Sequence, residues 1–132
     1  MPPRLVTEAA DNAASPVWPS ELVVNRAERV LKIAFNDGKS FALPAEYLRT
    51  QSPSAEVQGH SESQRQTVGG KRNVAITGME PVGNYAVRIQ FDDGHDTGLF
   101  SWSYLHELGR DQDLRWKKYL QELSDRGMRR DP

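Results

Sequence analysis

The chain has no cysteine, no excess of either charge and no long apolar run. Each absence removes a class of function. Without cysteine there is no disulfide, no thiolate nucleophile and no cysteine-ligated metal. With 17 Lys and Arg against 18 Asp and Glu, no global field draws the protein to nucleic acid or an anionic membrane. No apolar stretch approaches the ~20 residues a bilayer-spanning helix needs. The first residues, Met1 to Ala10, lack a basic segment followed by an apolar one, so no secretory signal is expected and the cytoplasm is the default compartment. A chain of 132 residues suits one domain with a modest core.

What the chain does have is one pattern written twice. Val30 to Leu48 runs as an alternating strand, an Asn36-Asp37-Gly38 turn, a short return strand and a helical turn carrying Tyr47 and Leu48. Ala86 to Leu105 repeats this order, with Asp92-Asp93-Gly94 at the turn and Tyr104 and Leu105 after it. The second copy places His95 where the first has Lys39. Glycine in such a turn supplies the positive φ that tight hairpins require. Leu31, Ile33 and Phe35 share one strand face, as do Tyr85, Val87, Ile89 and Phe91. Phe41 and Leu43, then Thr97, Leu99 and Phe100, carry the return strands, and Pro44 suits the first position of a helical turn.

Around the repeat, residues 1–19 are expected to form a mobile segment, and 20–109 the domain proper. A polar loop falls near 59–72, Val74 and Ile76 restart a strand, and Pro81 to Asn84 reads as a turn. Ser101 is a candidate cap for a helix over Trp102–Leu108 stopped by Gly109. A C-terminal helix within 110–127 follows, capped by Asp111, with Trp116, Tyr119, Leu120 and Leu123 on one face. Residues 128–132 form a tail. The fold class is α+β: antiparallel β-hairpins in two related strand-turn-strand-helix units, packed with short helices and a C-terminal helix. Lys39 and Arg88 are expected as edge charges that discourage strand pairing between copies.

Nothing in the chain makes it an enzyme. Gly59-His60-Ser61-Glu62-Ser63 lacks the closing glycine of a nucleophile elbow. Gly69-Gly70-Lys71 fails the phosphate-loop spacing, with Arg65 at the first glycine position and Arg72 after the lysine. Asp92, Asp93, His95 and Asp96 bunch at one turn, with His60 and His106 as further candidate ligands. Alternation along a strand keeps all four from converging, and an Asp-Gly turn selects such residues for its own reasons. Trp102 is the aromatic expected to be exposed, while the basic residues near the C-terminus are interleaved with acids as on a solvated face.

Three blocks then carry a resemblance: Leu48-Arg49 with Ser52-Pro53-Ser54-Ala55-Glu56-Val57, Glu80-Pro81-Val82-Gly83-Asn84-Tyr85-Ala86, and Phe91 to His95 with Trp102 and Leu105. Over residues 21–109 the chain resembles the N-terminal domain of γ-butyrobetaine hydroxylase, and more closely the small bacterial stand-alone proteins of that domain family. In the hydroxylase this domain holds zinc through three cysteines and one histidine. The resemblance puts the histidine at His95 and the cysteines at Ser52, Ser54 and Val57, which implies that the fold is kept and the zinc lost, leaving no resident cofactor. The hydroxylase's iron and 2-oxoglutarate sit in a separate, larger domain, so no oxygenase activity is implied. Relatives fused to P-loop ATPases of iron–sulfur cluster assembly link the family to that pathway by association.

The function expected is therefore a non-catalytic accessory or protein-interaction domain. Ser52, Ser54, Asp93, His95, Asp96 and Trp102 would form its partner surface, and the partner would be a protein of iron–sulfur assembly or of a 2-oxoglutarate oxygenase system. The alternative is a weak iron or zinc carrier associated with iron–sulfur assembly, with His95 and His60 as metal ligands.

Overall fold

A computed structural model describes residues 16–54 and 66–132 of the chain. Two three-stranded antiparallel sheets share one core. The first is β1 (Pro19–Asn25), β2 (Val30–Phe35) and β3 (Ser40–Pro44), in that order, followed by helix α1 (Ala45–Thr50). The second is β4 (Ile76–Val82), β5 (Ala86–Phe91) and β6 (Leu99–Ser101), again in sequence order, followed by α2 (Trp102–Arg110) and α3 (Gln112–Asp125). The fold is α+β, as the residue pattern predicts. Among the described residues no helix is long and apolar enough to cross a membrane.

Strand alternation sends Leu31, Ile33 and Phe35 of β2, and Val87, Ile89 and Phe91 of β5, into the core at 3% exposure or less. At about 25 cal/mol per Å² of apolar surface removed from water, these central strands and Leu48, Leu105 and Leu108 supply the main driving force. The two hairpin turns match bond for bond. In the first, Phe35 N–H donates to the Lys39 carbonyl, Gly38 N–H to the Phe35 carbonyl, and Lys39 N–H to Asp37 Oδ1. In the second, Phe91 N–H donates to the His95 carbonyl, Gly94 N–H to the Phe91 carbonyl, and His95 N–H to Asp93 Oδ1. Gly38 and Gly94 take φ of 87° and 90°, which explains the glycine at each place.

The units then close on each other reciprocally. Tyr47 Oη of α1 donates to the Leu108 carbonyl near the end of α2 at 2.7 Å. Tyr104 Oη of α2 donates to the Gln51 carbonyl at the end of α1 at 2.6 Å. Each tyrosine thus satisfies a carbonyl left over at the other helix's C-terminus. Glycine is paired with bulk in the same crossed manner. A Cβ on Gly109 would run into the Phe41 ring, and one on Gly98 into Ser52 Oγ.

Several sequence expectations need correction. Gly109 does not stop α2; it lies inside the helix, because Phe41 needs the space. Pro44 ends β3 with extended backbone and caps α1 from outside rather than opening it. Pro81 and Val82 belong to β4, and the turn is Gly83 to Tyr85, so Tyr85 is exposed rather than a member of the β5 face. Asp111 occupies the cap position of α3, but its carboxylate binds Arg110 instead. Leu120 is 38% exposed, because α3 rests on the body through Trp116, Tyr119 and Leu123. Arg88 is on the central strand β5, bonded to Glu80 across the sheet, and guards no edge.

The segment 128–132 is docked. Gly70 N–H donates to the Arg129 carbonyl and Arg72 N–H to the Arg130 carbonyl. Arg130 makes a two-pronged bond to Glu46 of α1 and stacks over Trp116. The segments 1–15 and 55–65, which include the start of the expected mobile terminus, much of the polar loop, Val57 and His60, lie outside the described residues.

Candidate functional site

The β5–β6 turn and the chain leaving α1 meet at His95. Its Nε2 lies 3.0 Å from Ser52 Oγ and 3.3 Å from Ser54 Oγ, and the two hydroxyls are 3.4 Å apart. Ser52, Ser54 and His95 are 0%, 7% and 7% exposed. The expectation that these three face a partner is thus corrected: they are interior groups, and burial is tolerated because they bond one another.

Beside the cluster, Asp93 is held from two sides. Arg49 Nε of α1 donates to Asp93 Oδ2 at 2.7 Å, and Lys71 Nζ reaches the same oxygen at 2.6 Å. Burial pushes the Asp93 carboxyl up, but hydrogen bonds from Lys71, the His95 backbone N–H and Arg49 outweigh it and hold the group at about 2. Among the described residues Arg49 Nη1 is buried without a hydrogen-bond partner, so the guanidinium leans on Asp93 for its charge balance.

The first unit has a counterpart to this arrangement. His106 of α2 meets Asp37 in the β2–β3 turn, Nε2 to Oδ2 at 2.8 Å, with its ring edge-on to Phe35 and Phe41. The Asp37 carboxyl is lowered by the Lys39 backbone N–H and then by His106. Arg49 and Lys71 were not singled out as site residues from the sequence. The signal for Arg49 was its place two residues after Tyr47, matching His106 two residues after Tyr104.

The remaining candidates disperse. Asp96 is exposed at the turn, and Asp92 caps the entry to β4 by accepting from Ala75 N–H. Trp102 is half-buried against the core, its indole N–H donating to the Asn84 carbonyl, so it is not the exposed aromatic the sequence suggests. Among the described residues, the large exposed apolar side chains of this half include Tyr85, Leu99 and Leu114, at 58%, 42% and 72%.

The zinc of the resemblance does not fit here. Structural zinc is held by four thiolate, imidazole or carboxylate ligands. Ser52 and Ser54 offer uncharged hydroxyls, leaving one imidazole. Among the described residues no three His, Cys, Asp or Glu side chains stand close enough to hold a metal ion.

Two sheets joined through crossed helices, with a buried Ser–Ser–His cluster at one hairpin, define a small duplicated α+β domain. The family model described as "Gamma-butyrobetaine hydroxylase-like, N-terminal" matches residues 22–106. The chain belongs to this family. Among solved structures, one determined by NMR is 47% identical, with a TM-score of 0.75 over 86% of this chain and 90% of that one. A second NMR structure is 42% identical, with a TM-score of 0.78 over 96% and 92%. A crystal structure from Acidithiobacillus ferrooxidans, of a protein of unknown function in the DUF971 family, is 37% identical, with a TM-score of 0.59 over 69% and 91%. No curated protein gives a significant match.

Proposed function

We propose that the protein is a non-catalytic accessory domain that binds another protein through Tyr85, in the β4–β5 turn, and Leu99 of β6. The observation behind this reading is the contrast between the cluster and its rim. Ser52 and His95, the pair best suited by type to nucleophilic chemistry, are buried and bonded together. Tyr85 and Leu99 are exposed on the same half of the molecule. Aromatic and aliphatic side chains of this kind anchor protein interfaces. Asp96 is also exposed, at the β5–β6 turn. The partner is a protein, and the family's association with iron–sulfur assembly and 2-oxoglutarate oxygenases names where to look first. The cytoplasm is the compartment this reading requires.

The test is capture of partners from a native extract by the wild type, by Tyr85→Ser with Leu99→Ser, and by Asp96→Ala, with amide NMR spectra confirming each fold. A protein retained by the wild type and lost from the Tyr85/Leu99 variant supports the reading. An identical captured set for all three sinks it. The alternative, a weak metal or iron–sulfur-associated carrier using His95, draws less support, because Nε2 already sits between two hydroxyls.

A further inference from the structure

The two units separate what the fold requires from what one unit has added. The place that corresponds to His95 in the first hairpin is Lys39, which is exposed. The place that corresponds to Ser52 in the second unit is Gly109, inside α2, with no side chain at all, and its space is taken by Phe41. The first unit therefore closes with an aromatic ring where the second closes with hydroxyls and an imidazole. A buried polar cluster is not demanded by this architecture.

What differs between the units is the route of the chain. After α2 the helix runs on through Gly109 to Arg110 and α3 follows at once. After α1 the chain leaves the helix at Gln51 and passes through Ser52–Ser54 as irregular backbone. Among the described residues that segment joins no strand ladder, and the hydrogen bonds between the Ser52 and Ser54 hydroxyls and His95 Nε2 fasten it to the β5–β6 turn. Ser52 Oγ also packs against Gly98, where any side chain would displace it.

We infer that Ser52, Ser54 and His95 form a metal-free latch: hydrogen bonds among two hydroxyls and an imidazole stand where the resemblance places a zinc ion and fasten the chain leaving α1. The latch is independent of the partner surface proposed above, since it is interior and needs no ligand.

The full chain, purified without a metal-affinity tag, is assayed for metals by elemental analysis and unfolded in urea with and without EDTA. Substoichiometric metal and an unchanged midpoint are expected. Metal near one equivalent per chain, or a midpoint that falls with chelator, overturns the latch. Ser52→Ala, His95→Leu and the double variant then form a thermodynamic cycle, since leucine removes the ring nitrogen that Ser52 meets. His95→Gln keeps a polar nitrogen near the Nε2 position and should recover part of the stability that His95→Leu loses. Coupling of roughly fivefold in the unfolding constant is expected, and additive single effects overturn the inference. Finally, Ser52→Cys with Ser54→Cys supplies two thiols beside His95. Thiolate-to-metal charge-transfer absorption on adding Co²⁺ is expected from the convergence of the three positions. A folded double variant that stays colourless shows that they do not converge, and the latch fails.

Discussion

Asp37 and Asp93 occupy the same place in two copies of one turn, and their surroundings have diverged. Asp37 faces one histidine, His106, and its side chain is 32% exposed. Asp93 faces two permanent cations, Arg49 and Lys71, and its side chain is 17% exposed. The backbone around both is the same, down to the N–H of the residue two further on. The same scaffold occurs twice, and the second hairpin carries more charge pairing and buried polarity than the first. A reader looking for specialised chemistry should compare the copies and look where they disagree: Lys39 against His95, Phe41 against Gly98, Gly109 against Ser52.

The comparison breaks most visibly if the matched core leucines are not equivalent. Leu48→Ala and Leu105→Ala each delete a fully buried side chain at corresponding helix positions. Each should cost about 3 kcal/mol in urea unfolding, within about 1 kcal/mol of the other. A large inequality would mean that the two halves do not share one core.

The next effect is asymmetric. Asp93→Asn should cost about 2 kcal/mol, because it strips the charged partner from a largely buried Arg49. Asp37→Asn should cost distinctly less, as exposed pairs do. Equal costs would erase the proposed divergence. The same asymmetry appears in acid. The Asp93 carboxyl is depressed from 3.8 to about 2, so its contribution is fully present above the unfolded value and lost as pH falls through the folded one. Wild-type urea midpoints should therefore drop between roughly pH 4 and pH 2, and this component of the drop should vanish in Asp93→Asn.

The smallest effects test the crossed tyrosines. Tyr47→Phe and Tyr104→Phe each remove one hydroxyl from a helix-end carbonyl and should cost about 1 kcal/mol apiece, measured by thermal or urea unfolding. The Tyr47 phenol is raised by burial, so its ultraviolet titration should stay silent until strongly alkaline pH.

Much of this was legible in the residues, because the signals were local. Asp-Gly turns, alternating strand faces and the Tyr-Leu helical turns each act over a few positions, and they yielded both units and the α+β class. The Ser101 cap, which accepts from Tyr104 N–H, was legible for the same reason. What escaped depended on distant neighbours. Gly109 looks like a helix stop until the Phe41 ring, far away in sequence, is seen to need its space. Ser52, Ser54 and His95 look like surface residues by type, and only their mutual satisfaction lets them go inside. Arg88 looks like an edge charge until β6 is found on its other side.

The reciprocal tyrosine bonds span 61 and 53 residues of sequence. A chain emerging from the ribosome therefore exposes the first unit with Tyr47 and Leu48 uncovered, and waits for the second unit before its core can close. Long-range contacts of this kind slow folding, since the intervening loop must be ordered before any contact rewards it. The order of synthesis thus leaves the carbonyl that Tyr47 satisfies, that of Leu108, among the later parts of the domain to be made.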